Sequence, residues 1–284
     1  MLTRHIIQTV VQAALVEDAP WGDVTSELLI PETATATARL VAREPGTFAG
    51  GEVFAAAMTL TDPAIVVTLH VADGTAFEPG EALATVTGPA RSVLQAERVA
   101  LNFTQRMSGI ATLTAAFVAE VAHTSARIVD TRKTTPGLRA FERHAVRAGG
   151  GHNHRYSLSD AVMAKDNHLA VLTAQSGLSV TDALLRVREQ LGHTTHLEVE
   201  VDRLDQIEPV LAAGVDTIML DNFTVDQLRE GVALVDGRAL VEASGNVSLA
   251  TVRAIAETGV DVISSGSLTH SVRSLDLGLD VVVE

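Results

Sequence analysis

Lys133 and Lys165 are the only lysines in a chain that carries 21 basic side chains and a formal charge of −14. Lys133 lies in DTRKTTPGLR beside Asp130 and Arg132, and Lys165 lies in AKDNH. Between them GGGHNHR adds His152, His154 and Arg155. From Arg127 to His168 there are eight Lys or Arg against four acids, a cationic segment in an acidic protein. Such a cluster suits a small, highly charged anion. Arginine brings a planar fork matched to carboxylates, and lysine a point charge matched to a phosphate or leaving group. The glycines let backbone approach a ligand closely, and successive N–H groups can hold an anion. A solvated helix face accounts equally well for Arg143 and Arg147 in RAFERHAVR. It accounts poorly for DTRKTTPG and GGGHNHR, which are loop sequences.

Two further groups carry chemistry. Ser244-Gly245-Asn246 and Ser265-Gly266-Ser267 each follow an apolar run and precede a helical stretch. That layout suits a phosphate held by backbone N–H groups, although ordinary strand-to-helix turns share it. Glu200 and Asp221 are acids in cationic company, a conflict relieved by Mg²⁺, ligand hydroxyls or a cationic transition state. Glu198 follows the same side of its strand as Glu200 and reads as a solvated neighbour. His152 and His154 have a spacing that occurs in metal sites, a weak signal alone. The His-Asn-His triplet also occurs in a nuclease family, but the acidic balance argues against binding nucleic-acid backbones.

These residues need a frame. ARIVDTRK, DAVMAKDN, HLEVEVD, TIMLDN, ALVEASG and VDVISSG are short β-type runs, and helical patterns separate most of them. Strand and helix in alternation mean parallel βαβ units. The polar residues gather at the C-terminal ends of these runs, the side on which parallel α/β folds bind ligands. Six strands are too few for a regular eight-fold barrel, so an incomplete barrel or an open sheet is expected.

The first part of the chain reads differently. Residues 5 to 16 have helical spacing, and WGDVTSELL reads as a turn with Asp23 and Thr25 as capping candidates. TATARLVARE, AIVVTLHVADG and ALATVTG read as strands of an open antiparallel sheet. PGEALATVTG has the look of a biotinyl or lipoyl carrier hairpin but lacks the lysine such a tip needs. A long helical stretch from about Ser92 to Val121 is expected to break at Gly109. The expected domains are 1–112 and 113–267, with the tail 268–284 returning to the first. There is no cysteine, which excludes thiolate chemistry. No window reaches a membrane span, so a cytoplasmic protein without membrane or nucleic-acid partners is expected.

DTRKTTPGLR, AVRAGGGHNHR, AKDNH, LEVEVD, IMLDN, EASGN and SSGSLTHS occur in the order found in quinolinate phosphoribosyltransferase. EDAPWGDVTS and ERVALNFTQRMSGIAT resemble that family too, so the likeness runs along essentially the whole chain. The resemblance implies an N-terminal α/β open sandwich and an incomplete α/β barrel of the type II phosphoribosyltransferase kind. It implies a homodimer with a shared active site, to which the partner lends an arginine matching Arg98. It implies transfer of phosphoribosyl from phosphoribosyl pyrophosphate to quinolinate with Mg²⁺. The products would be nicotinate mononucleotide, pyrophosphate and CO₂, in NAD biosynthesis. Arg98, Arg132, His154, Arg155 and Lys165 would then hold the dicarboxylate. Lys133 would face the pyrophosphate, and Glu200 and Asp221 would serve the ribose or hold Mg²⁺. The loops at 244–246 and 265–267 would take the 5-phosphate. Tyr156-Ser157, Asn246, Ser265 and Ala164 depart from the residues frequent in the family, but none removes a charged group. A same-fold paralogue of changed substrate and a non-catalytic anion-binding protein are the alternatives.

Overall fold

The computed structural model describes residues 2–282, so the last two residues of the expected tail lie outside the described residues. The chain divides into two compact units. The first comprises residues 1–115, 134–150 and 268–284, and the second 116–133 and 151–267. This differs from a single boundary after residue 112 by assigning 113–115 and 134–150 to the first unit.

The first unit opens with helix α1 (Arg4–Asp18), which buries Ile7, Val11 and Leu15 at four-residue spacing. Thr3 caps it by accepting the N–H of Ile6. WGDVTSELL is not a turn throughout: α2 spans Val24–Leu29. Asp23 is its N-cap and accepts from the N–H groups of Thr25 and Ser26, which is enough to start a short helix. Strand β1 (Thr35–Ala42) buries Ala36, Ala38, Leu40 and Ala42, the alternation of a sheet with one covered face. The short strand β2 (Gly46–Thr47) leads to α3 (Gly51–Thr61). Then come β3 (Val66–Leu69), β4 (Ala76–Phe77) and β5 (Ala82–Pro89). The antiparallel sheet places β1 between β5 and the C-terminal strand Leu277–Val282, with β3 outside β5. Helix α3 has no local cap residue. Asp73, 22 residues on, accepts from the N–H groups of Gly50 and Gly51 in its place.

Helix α4 (Ala90–Val121) runs unbroken through Gly109. The glycine marks a close approach instead of a break. A Cβ there would lie 2.2 Å from the carbonyl oxygen of Arg273. Helix α5 (Arg139–Ala148) belongs to the first unit because its Glu142 and Phe141 find partners on α4. Arg106 donates to buried Glu142 at 2.8 Å, and Phe103 stacks on Phe141 at 5.4 Å.

The second unit is a six-stranded, all-parallel sheet. Its strands are β6 (Arg127–Val129), β7 (Val162–Ala164), β8 (Leu197–Val201), β9 (Thr217–Asp221), β10 (Leu240–Ser244) and β11 (Val262–Ser264). Their spatial order is β6-β11-β10-β9-β8-β7. The sheet's first two strands in sequence, β6 and β7, are therefore its two edges, as in a barrel left open between them. Helices α6 (Asp166–Ser176), α7 (Val180–Gln190), α8 (Ile207–Leu211), α9 (Val225–Val235) and α10 (Val252–Ala256) make the crossovers. Leu197, Val199, Ile218, Leu220, Val241 and Ala243 are buried on one face of the strands. The alternate residues, Glu198, Glu200, Met219, Asp221, Glu242 and Ser244, turn to the other face and line its cavities.

Candidate active site

A pocket of about 560 Å³ opens at the C-terminal ends of the parallel strands. Every strand of the second unit, or the segment that directly follows it, contributes to it. Thr131, Arg132 and Lys133 follow β6, Met163 and Lys165 come from β7, and Glu200 from β8. Met219, Asp221 and Asn222 come from β9, Ser244 to Asn246 from β10, and Ser264 from β11. His154 and Arg155 enter from the segment that fills the gap beside β6, where His152 makes an isolated parallel bridge to Val129. Both lysines of the chain thus line one pocket.

Buried Asp130 anchors the histidine loop. It accepts from Asn153 Nδ2 at 2.5 Å and from the His154 N–H at 2.8 Å. His154 Nδ1 accepts the N–H of Arg155 at 2.7 Å, so the neutral ring carries its proton on Nε2. Nε2 faces buried Glu198 at 3.2 Å and buried Glu242 at 3.6 Å. Burial opposes charge on His154, but the Glu198 hydrogen bond and the nearby carboxylates outweigh it and raise its pKa. Burial, reinforced by the charge of Glu198, pushes the Glu242 carboxyl up to about 7. Glu198 is therefore no solvated neighbour of Glu200. It sits deeper in the barrel, where the inward row of β8 meets that of β10.

His154, Glu198 and Glu242 are close enough to one another to hold a metal ion. A metal on Nε2 would need the ring proton on Nδ1, where the Arg155 amide already donates. His152, the other histidine of the expected pair, is not in this cluster.

At the mouth Lys165 Nζ donates to Glu200 Oε2 at 2.6 Å. Asn222 Nδ2 donates to Asp221 Oδ2 at 2.6 Å. Arg155 donates to the carbonyl of Ala161 at 3.0 Å. Its pKa is lowered by burial and next by the charge of Arg132. Two guanidiniums and two lysines lining one pocket make a cationic cluster suited to a small, highly charged anion.

Of the residues expected from sequence, this pocket gathers Arg132, Lys133, His154, Arg155, Lys165, Glu200, Asp221, Ser244, Gly245 and Asn246. Ser265, Gly266 and Ser267 do not line it, and the neighbouring Ser264 does. The Ser265 hydroxyl instead lies 2.7 Å from that of Ser267. Arg98 is exposed on α4 and is not among the lining residues. Asn222 and Glu242 were missed. The period of two gives a signal for Glu242, which shares a face with Ser244. Asn222 had only its place after the acid.

The family described as quinolinate phosphoribosyl transferase, C-terminal domain, matches residues 110–280, and its N-terminal domain matches residues 23–108. The chain belongs to the quinolinate phosphoribosyl transferase family. A curated relative in Mycobacterium leprae, nicotinate-nucleotide pyrophosphorylase (carboxylating), is 45% identical over 280 residues, covering 95% of each chain. The probable nicotinate-nucleotide pyrophosphorylase (carboxylating) of Bacillus subtilis is 42% identical, covering 94% of this chain and 90% of the relative. Among solved structures, NadC from Streptococcus pyogenes superposes with a TM-score of 0.93 at 41% identity, covering 100% of this chain and 99% of that one. The N-terminal antiparallel sheet and the six-stranded parallel sheet are thus the fold of the quinolinate phosphoribosyl transferase family. Among the described residues no helix is long and apolar enough to cross a membrane.

Proposed function

We propose that the chain is a quinolinate phosphoribosyltransferase, a carboxylating nicotinate-nucleotide pyrophosphorylase of NAD biosynthesis, and that the pocket at the strand ends is its active site. The observation that carries this reading is the gathering of Arg132, Lys133, Arg155 and Lys165 in one pocket together with Glu200 and Asp221. Both substrates of the reaction are polyanions. Arg132, Arg155 and Lys165 take the carboxylates of quinolinate, and His154 shapes the floor beneath them. Lys133, exposed on its loop, neutralises the departing pyrophosphate. Ser244, Gly245 and Asn246 take the 5-phosphate, and the Ser265–Ser267 turn supports that end of the pocket.

The ring nitrogen forms its bond to the ribose anomeric carbon as the bond to pyrophosphate breaks, and pyrophosphate leaves with the electron pair. Positive charge builds on the ribose, as in other glycosyl transfers. Glu200 and Asp221 face it and stabilise it. The ring nitrogen is then positively charged, so the adjacent carboxylate departs as CO₂ and leaves its electron pair on C2. A proton completes nicotinate mononucleotide.

Glu200 and Asp221 also form the oxygen donor set that fits Mg²⁺, which takes one or two carboxylates and completes its shell with water and substrate phosphate oxygens. One oxygen of each acid already accepts a hydrogen bond, from Lys165 and from Asn222, which leaves the other to the ion. Bound there, the ion would neutralise charge on the pyrophosphate.

The working unit is a homodimer in the cytoplasm, with Arg98 of the partner subunit completing the dicarboxylate site. The test of the site is calorimetric titration with quinolinate and with nicotinate. Quinolinate is expected to bind at least ~10-fold tighter, since one charge-assisted bidentate contact is at stake. Equal affinity for the two would overturn the reading of Arg132 and Arg155 as a dicarboxylate clamp.

A further inference from the structure

Asn222 and Asn246 share an uncommon backbone. Their φ angles are 59° and 53°, in the left-handed region that L residues rarely enter. Among the described residues, Asp236 at the end of α9 is the other non-glycine residue there. Asn tolerates this region better than most residues, usually by bonding its own turn. In Asn222 and Asn246 the side-chain amides are engaged elsewhere.

A carboxylate can only accept, so the Asn222 group 2.6 Å from Asp221 Oδ2 must be its Nδ2. Its Oδ1 then points away from the acid, where Asn246 Nδ2 donates to it at 3.1 Å. The Asn222 N–H is pinned at 2.9 Å to the carbonyl of Ser244. Gly245 lies against the same side chain, and a Cβ there would come within 2.2 Å of Asn222 Oδ1. The chain of side-chain donors therefore has one direction, from the 244–246 loop through Asn222 to the acid. Asn222 and Asn246 are both exposed, so water can replace these bonds at little cost to the fold. Their effect is on where the Asp221 carboxylate points.

We infer that Asn222 is a positioning residue for Asp221 and that Asn246 holds Asn222 in turn. The loop that takes the 5-phosphate and the acid that faces the ribose are thereby one hydrogen-bonded unit. This rests on the functional reading above and adds to it a link between phosphate binding and the reacting carbon.

The test uses Asn222→Gly and Asn246→Gly, since glycine keeps the left-handed backbone and removes only the side chain. Each is assayed beside the wild type with Mg²⁺, quinolinate and phosphoribosyl pyrophosphate, and each is melted. Asn222→Gly is expected to lower kcat by ~10-fold or more with KM for phosphoribosyl pyrophosphate within ~3-fold, the split expected when transition-state alignment is lost. Asn246→Gly is expected to lower kcat less, in the same direction, and neither should shift the melting temperature. In an Asp221→Ala background, read by single turnover with enzyme in excess, adding Asn222→Gly should cost less than ~2-fold, because its partner is already gone. A kcat within ~2-fold of wild type for Asn222→Gly, or an undiminished loss in the Asp221→Ala background, overturns the inference. Should Asn222→Gly fail to fold, Asn246→Gly decides: an unchanged kcat overturns the link. A wild type that makes no nicotinate mononucleotide overturns the functional reading, and this inference with it. An active wild type beside an equally active Asn222→Gly overturns this inference alone.

Discussion

At the scale of single residues, the proposed site separates groups that would face the ligand from groups that hold them. Lys133, which lines the pocket, belongs to the first kind in this reading. It is exposed on a loop, its N–H bonds the Thr131 hydroxyl at 3.0 Å, and removing its side chain leaves the strands intact. Lys133→Ala is therefore expected to cut turnover by ~100-fold or more, the scale seen when a charge-stabilising donor is lost. Its circular dichroism should stay that of the wild type, and gross unfolding would contradict the argument. Glu242 holds. Its folded pKa of about 7 lies above the ordinary carboxyl value, so the folded state keeps a proton that the unfolded chain releases. The resulting stability is complete at pH values below the unfolded pKa of about 4.3 and is lost as pH rises through the folded pKa. Glu242→Gln abolishes that titration. Its melting temperature relative to wild type should thus rise between about pH 5 and about pH 8.5, and a difference that does not change with pH would contradict the assignment.

At the scale of elements, legibility followed periodicity. The six parallel strands and their polar ends could be read because β-branched runs alternate with helical spacing from residue 126 onward. Arg132, Lys133, Lys165, Glu200 and Asp221 could be read for the same reason, since each follows such a run or lies in its last two residues. What could not be read depended on partners distant in sequence. Helix α3 is started by Asp73 across a loop, so no local cap announced it. Glu198 looked solvated because its burial depends on Glu242 and His154, which come from separate segments. Gly109 looked like a break because its cause, the Arg273 carbonyl, lies at the other end of the chain. That cause gives a prediction. Alanine is the better helix former by about 1 kcal/mol, yet Gly109→Ala should destabilise the protein by ~1–3 kcal/mol through overpacking against that carbonyl. A denaturant midpoint equal to or above that of the wild type would show that the close approach does not constrain this position.

At the scale of the whole molecule, a chain of formal charge −14 concentrates its two lysines and two of its arginines at one pocket. Field lines from such a cluster draw small anions to it, while the acidic remainder disfavours polyanionic chains. The proposed dimer extends the site to the partner subunit and is testable by mixing. Arg98→Ala and Lys165→Ala, each inactive alone, should regain activity as hybrids, because one site of each hybrid dimer keeps both wild-type residues. Hybrids that form without any recovery would count against a shared site.

The most direct test of the account is a paired turnover assay. Purified protein, Mg²⁺ and phosphoribosyl pyrophosphate are given either quinolinate or nicotinate, and nicotinate mononucleotide and CO₂ are followed together. The account predicts both products in equal amounts from quinolinate and negligible nucleotide from nicotinate. Nucleotide from nicotinate at a comparable rate, or no product from quinolinate, would contradict it.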